Sequence, residues 1–135
     1  MLKRLLITGA AGALGSHCRQ NLGHLAKTVR VSDITNLGAA APHEEVVQAD
    51  LSDRSAVMSL VEGCDGIVHF GGKAAEGEWS VVRDANIEGM YNLYEAARQS
   101  GCRRIFYPSS IRAVGYHSVT ANLDETISIR PDTLY

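Results

Sequence analysis

Residues 9–15 read GAAGALG and place Gly9, Gly12 and Gly15 at intervals of three, between an apolar run (residues 5–8) and a segment able to form a helix (14–25). Glycines at such a junction permit a tight turn and let a ligand approach bare backbone. The free N–H groups and dipole of the helix start, where Ala13 and Leu14 lie, attract negative charge. Asp33 stands 18 residues beyond Gly15, at the end of a second apolar run. A carboxylate there accepts hydrogen bonds from ribose hydroxyls and repels a 2′-phosphate. Glycines and acid together predict dinucleotide binding, with NAD as cofactor rather than NADP. Arg30 precedes Asp33 within the run and is expected to be a solvated edge charge, not a partner for a 2′-phosphate.

These residues need a scaffold, and the chain alternates strand and helix five times over. Strands are expected at 5–8, 28–32, around Val46 and Val47, at 66–70 and at 104–107. A helix capped by Ser52 would put Val57, Leu60 and Val61 on one face. A long helix over 79–100 would bury Ile87, Met90, Tyr94 and Ala97 at helical spacing. This order implies an α/β fold, a Rossmann-type doubly wound parallel sheet with helices on both faces. Residues 1–135 would form one NAD-binding domain. Such sheets usually continue, so the chain is expected to be the N-terminal part of a longer protein, cut after the fifth strand, with the substrate-binding part absent.

The formal net charge of −2 argues against bulk electrostatic attraction to nucleic acid or membrane surfaces. Cys18, Cys64 and Cys102 are odd in number and form no CxxC pair, which argues against a disulfide framework or a metal site and fits a reducing cytoplasm. The first seven residues carry two basic side chains in an apolar context, but the run breaks at Thr8 and Gly9 and reads as a first strand, not a leader.

Further segments resemble the extended short-chain dehydrogenases/reductases, also described as NAD-dependent epimerases/dehydratases. The GxxGxxG spacing is theirs. So are Asp50-Leu51 after the third strand, His69-Phe70-Gly71-Gly72 after the fourth, Asn86-Ile87-Glu88-Gly89 in the long helix, and Tyr107-Pro108-Ser109-Ser110 followed by Gly115-Tyr116. Within that family the wording at 63–69, 91–98 and 130–135 is most similar to uronate dehydrogenases. The resemblance implies that Gly9, Gly12 and Gly15 hold the pyrophosphate, Asp33 the ribose, and Asp50 with Leu51 the adenine. Gly71 and Gly72 would line the cofactor channel. Asn86 would support the site's hydrogen-bond network, or else be a structural asparagine on a helix face. Ser110 would bond the reacting sugar oxygen, and Tyr135 would open a Tyr-x-x-x-Lys motif.

A tyrosine with its usual pKa of roughly 10 is a poor base at neutral pH, so the family pairs it with a lysine ammonium. That lysine would stand at the fourth position after Tyr135. Residues 1–135 alone are therefore expected to show no hydride transfer.

The chain also departs from the subfamily it resembles. Ile111-Arg112 replace Asn-His after the serine, and Lys73-Ala74 replace an apolar residue and serine after the glycine pair. These four positions are candidate substrate contacts, and such polar changes can move specificity by orders of magnitude. Lys73 and Arg112 would suit an anionic sugar, unless both point to solvent. The resemblance implies oxidation of the anomeric carbon of a uronic acid to a lactone, in a possible homo-oligomer. A nucleotide-sugar epimerase or dehydratase with tightly bound NAD, and a non-catalytic NAD-binding protein, share the same motifs.

Overall fold

The computed structural model describes residues 1–133 and 135. Five parallel strands form one sheet: β1 (Leu2–Thr8), β2 (Ala26–Asp33), β3 (Glu44–Gln48), β4 (Gly66–His69) and β5 (Ile105–Phe106), in the order β3-β2-β1-β4-β5. The doubly wound α/β expectation holds. Chain order reverses between β1 and β4, and a crevice at the carboxyl ends of the strands is expected at that point.

Alternation along β1 divides the core in two. Leu5 and Ile7 face one side, packed with Val29 and Val31 of β2 and with Cys18 and Leu22 at helix α1 (Ala13–Asn21). Leu6 faces the other side, against α2 (Arg54–Val61) and α4 (Gly89–Gln99). Val57, Leu60 and Val61 of α2 are buried, as their spacing requires. The cap of α2 is Asp53 rather than Ser52. The Asp53 carboxylate accepts from the N–H groups of Ser55 and Ala56 at 2.9 and 3.1 Å, while the Ser52 hydroxyl donates to Asp50. A carboxylate accepts twice and also complements the positive end of the helix dipole.

The long helix is not continuous. α3 (Trp79–Val82) passes into a π-helical stretch (Arg83–Glu88) and then into α4. α4 turns Asn92, Leu93, Ala96 and Ala97 to the core, at helical spacing from buried Val82 of α3. Ile87 and Tyr94, expected inside, are exposed.

Arg30 is likewise not a solvated edge charge. β2 lies inside the sheet, and the Arg30 side chain is only 13% exposed. Its guanidinium pairs with Glu45 at 2.8 Å and donates to the carbonyls of Leu60 and Glu62 at 2.7 and 3.1 Å. It thus closes the C-terminal end of α2 onto the sheet. Replacing Arg30 with Ala is expected to lower stability by about 2 kcal/mol, because those carbonyls and part of the Glu45 charge lose their partner. A urea titration showing an unchanged midpoint would refute this.

Candidate functional site

At the end of β1 the chain turns through Gly9, whose φ of +66° lies in the left-handed region that favours glycine. A side chain at Gly9 would also meet the Phe70 carbonyl carbon at 2.5 Å, so the β1 turn and the loop after β4 lie backbone to backbone. At Gly15 a Cβ would fall on the Gly9 carbonyl itself. Gly12 differs: its φ is −71°, and a Cβ there meets only the Gly9 oxygen, at 3.3 Å. Gly9 and Gly15 are therefore required by the fold, whereas the open side of Gly12 faces the cleft. Gly12 also caps α1, which has no side-chain cap, leaving the helix start able to receive an anion.

Two adjoining cavities of about 370 and 300 Å³ share Gly9, Gly12 and the Phe70–Ala74 loop, and form one cleft across the β1/β4 switch point. Ser32, Asp33, Ile34, Asp50 and Leu51 line one half. Ala13, Leu14, Gly15, Asn86, Tyr107, Pro108, Ser109 and Tyr135 line the other. Asp33 is already engaged: one carboxylate oxygen accepts from the Ala11 N–H, the other from the N–H and hydroxyl of Thr35, all at 3.0 Å. It thereby ties the glycine loop to β2, and the oxygen that accepts from Ala11 keeps a further lone pair. Asp50 accepts from the Ser52 N–H and hydroxyl. Buried Asn92 reaches from α4 to donate to the Leu51 and Ser52 carbonyls, fixing Leu51 against Gly71.

The loop after β4 is held from both sides. The Lys73 N–H donates to Asn86 Oδ1 at 2.7 Å, and Asn86 Nδ2 donates to the Lys73 carbonyl at 3.1 Å. The π turn carrying Asn86 delivers this two-point contact; Asn86 acts on backbone and lines the cleft as well. The Gly71 N–H donates to the Thr8 hydroxyl at 3.2 Å, and that hydroxyl lies 2.6 Å from His69 Nδ1. The pairing is satisfied when the hydroxyl donates to Nδ1. Burial pushes His69 down to about 4, so its ring is neutral near pH 7. That ring stacks on Tyr107 at 5.3 Å, which sets one wall of the second cavity. Burial, with Tyr135 and Tyr94 nearby, pushes the Tyr107 phenol up, so it stays a neutral donor.

Thr8, His69, Asn92 and Tyr107 had no individual role in the sequence reading. The available signal was positional: Thr8 and His69 end adjacent strands and sit in register.

Of the expected substrate-side residues, Lys73 and Ala74 line both cavities. Lys73 is exposed, and its ammonium has no ion pair among the described residues. Ser110, Ile111 and Arg112 stand outside the cavity linings. Ser110 Oγ accepts the Arg112 N–H at 3.2 Å, capping a 3₁₀ turn (Ile111–Val114). Its own hydroxyl proton is not used by that bond. Ile111 is 79% exposed. The Arg112 guanidinium pairs with Asp132 at 2.9 Å, so its charge is matched within the protein. Tyr135 reaches the second cavity, its N–H donating to Glu76 at 3.3 Å; Leu134, within the family-like segment at 130–135, lies outside the described residues.

The sequence profile of the NAD dependent epimerase/dehydratase family matches residues 5–135. Uronate dehydrogenases from Agrobacterium fabrum and Pseudomonas putida are 48% and 44% identical over 99% and 98% of this chain. The chain spans about half the length of these relatives, 51% and 50%. The crystal structure of a uronate dehydrogenase from Agrobacterium tumefaciens complexed with NAD superposes with a TM-score of 0.93 at 48% identity, covering 96% of this chain and 49% of that one.

The different demands on the glycines give one expected outcome. Gly12→Val should weaken dinucleotide binding about a hundredfold or more with the far-UV spectrum retained, whereas Gly15→Val should unfold the domain. Equal NAD affinity in Gly12→Val by titration calorimetry would show that the loop is only a turn. A second outcome follows from His69. Its unfolded value is near 6.5 and its folded value about 4, so below pH 6.5 the unfolded chain binds more protons. Stability is thus expected to fall as pH drops from 6.5 to 4, by up to about 3 kcal/mol, and His69→Gln should flatten that part of the profile. Identical slopes in denaturant titrations across this range would contradict the assignment.

Proposed function

The chain belongs to the NAD dependent epimerase/dehydratase family, and from that premise we propose that it supplies the cofactor-binding part of an NAD-dependent dehydrogenase that oxidises the anomeric carbon of a uronic acid to a lactone. One observation carries the reading: a single cleft runs from Asp33, past an open glycine and a helix start with no side-chain cap, to Tyr135. The similarity to uronate dehydrogenases over nearly the whole chain supports the same substrate class.

The residues present fit a dinucleotide. Gly12, Ala13, Leu14 and Gly15 would receive the pyrophosphate at the start of α1. Asp33 would take the adenosine ribose on the remaining lone pair of Oδ2, and its charge disfavours a 2′-phosphate. Asp50 and Leu51 would border the adenine. Gly71 and Gly72, without side chains, would leave room for the nicotinamide half beside Asn86. Bound NAD would supply the hydride acceptor. Ser110 would donate its free hydroxyl proton to the sugar oxygen and hold it. Tyr135 would take the proton leaving the anomeric hydroxyl, while the hydride leaves carbon and a carbonyl forms. Lys73 is the cation at the cleft and would favour an anionic sugar; Ala74 would contribute apolar contact.

A nucleotide-sugar epimerase is the second reading, because the matched family includes that chemistry. Cytoplasmic placement and a homo-oligomer accompany the proposal. No helix among the described residues is long and apolar enough to cross a membrane.

The test uses the natural protein that carries these residues. It should accumulate NADH from NAD, and not NADPH from NADP, with glucuronate or galacturonate. Tyr135→Phe should lose most of kcat while NAD binding survives, since only the proton acceptor is removed. Interconversion of nucleotide sugars without net NADH would decide for the epimerase, and a fully active Tyr135→Phe enzyme would defeat both readings of the tyrosine.

A further inference from the structure

Ser110 and Tyr135 are 25 residues apart in sequence, and Tyr135 belongs to no helix or strand of the described fold. Something must set their separation. Two stretches of chain run side by side here, one following Ser110 and one leading to Tyr135. The Arg130 N–H donates to the Ala113 carbonyl at 2.8 Å, and the Tyr116 N–H donates to the Arg130 carbonyl at 3.0 Å. His117 Nε2 lies 2.7 Å from the Ser128 carbonyl. Beyond these contacts, toward Tyr135, only side chains join the two stretches among the described residues. They do so through Arg112 Nη1 and Asp132 Oδ2, 2.9 Å apart.

The position of that pair decides its consequence. Arg112 is two residues after Ser110, and its own N–H is the one that Ser110 Oγ accepts. Asp132 is three residues before Tyr135. The pair therefore links the two segments that carry these hydroxyls, two residues from one and three from the other. Its surroundings also make it more than an exposed ion pair, a type usually worth little. The Asp132 side chain is 21% exposed. Its other oxygen, Oδ1, is buried with no hydrogen-bond partner among the described residues. Removing the guanidinium would leave a largely buried carboxylate unpaired, and the segment would shift to let it reach water. Gly115 belongs to the same arrangement. Its φ of −62° is ordinary, but a Cβ there would overlap the Asp132 carboxylate.

We propose that Arg112 is a positioning residue: with Asp132 it clamps the Tyr135 segment to the Ser110 turn, and so fixes the distance between the hydroxyl that holds the sugar oxygen and the one that takes its proton. This rests on the dehydrogenase reading above, and it replaces a substrate contact for Arg112 with a contact inside the protein. A misplacement of about 1 Å between reacting groups can cost up to a hundredfold in rate, so a modest pair can have a visible kinetic effect.

The test is a double-mutant cycle in the natural protein carrying these residues, with kcat and the KM for NAD and sugar measured separately. Arg112→Ala and Asp132→Ala should each lower kcat on the order of tenfold, with the KM for NAD unchanged. The double variant should be no worse than either single one, and Arg112→Lys should recover part of the loss. Gly115→Ala, which displaces the carboxylate without altering a charge, should reproduce the kcat defect. Wild-type kcat in the single variants, or losses that multiply in the double one, would overturn the clamp. So would a raised KM for the anionic sugar in Arg112→Ala alone, which would place the guanidinium on the substrate. Tyr135→Phe separates the two levels. If it is inactive and the cycle shows no coupling, only the clamp fails; if it is fully active, the role of Tyr135 fails and the clamp with it. A protein that makes no NADH from uronates overturns the dehydrogenase reading itself.

Discussion

The site depends on how closely the ends of β1 and β4 approach. Gly9 lies so near the Phe70–Gly71 backbone that no side chain fits between them. One step earlier, Thr8 and His69 close the same junction with a 2.6 Å hydrogen bond. This contact forms where the strand order reverses, with β2 and β3 to one side and β5 to the other. A crevice at the strand ends follows from that topology. The bare backbone on its floor follows from Gly9, Gly12, Gly71 and Gly72.

Backbone that is to meet a ligand must be held still, and short polar side chains do this throughout the cleft. Asp33 holds the Ala11 N–H, Asn92 holds the Leu51 carbonyl, Asn86 holds both polar groups of Lys73, and Thr8 holds the Gly71 N–H. Each is one or two torsions from the main chain and loses little entropy when fixed. Preorganisation of this kind lets a ligand bind without ordering the loops at its own expense. The π-helical stretch belongs to the same logic: it lets Asn86 reach the loop while Asn92, six residues on, faces the core side and the Leu51 turn.

Charge is distributed unevenly around the cleft. Arg30 and Arg112, both cations near functional segments in the sequence, are engaged with Glu45 and Asp132. Lys73 stands in the cleft with no ion pair among the described residues. The cationic side chain lining the cleft is therefore the one in the loop after β4, and the one after Ser110 is paired within the protein.

The sequence alone determined the alternation of strands and helices, the glycine turn, the acid at the end of β2 and the family-like segments around Ser110 and Tyr135. These are local or fixed-spacing signals: apolar runs of strand length, glycines where backbone must come close, and an acid at a set distance. The tertiary structure decided what depends on partners distant in sequence. Glycines that look alike in the motif separate into two required by packing, Gly9 and Gly15, and one open to the cleft, Gly12, because only the fold puts Phe70 and the Gly9 carbonyl where they are. Helical spacing pointed to Ile87 and Tyr94 for the core, but the neighbouring stripe of the same helix, with Asn92, Leu93 and Ala96, is the one that packs against the sheet and α2. A charged side chain does not announce its partner, so Arg30 on the α2 carbonyls and Arg112 on Asp132 became visible only once the chain was folded: an ion pair is set by distance in space, and the sequence records distance along the chain.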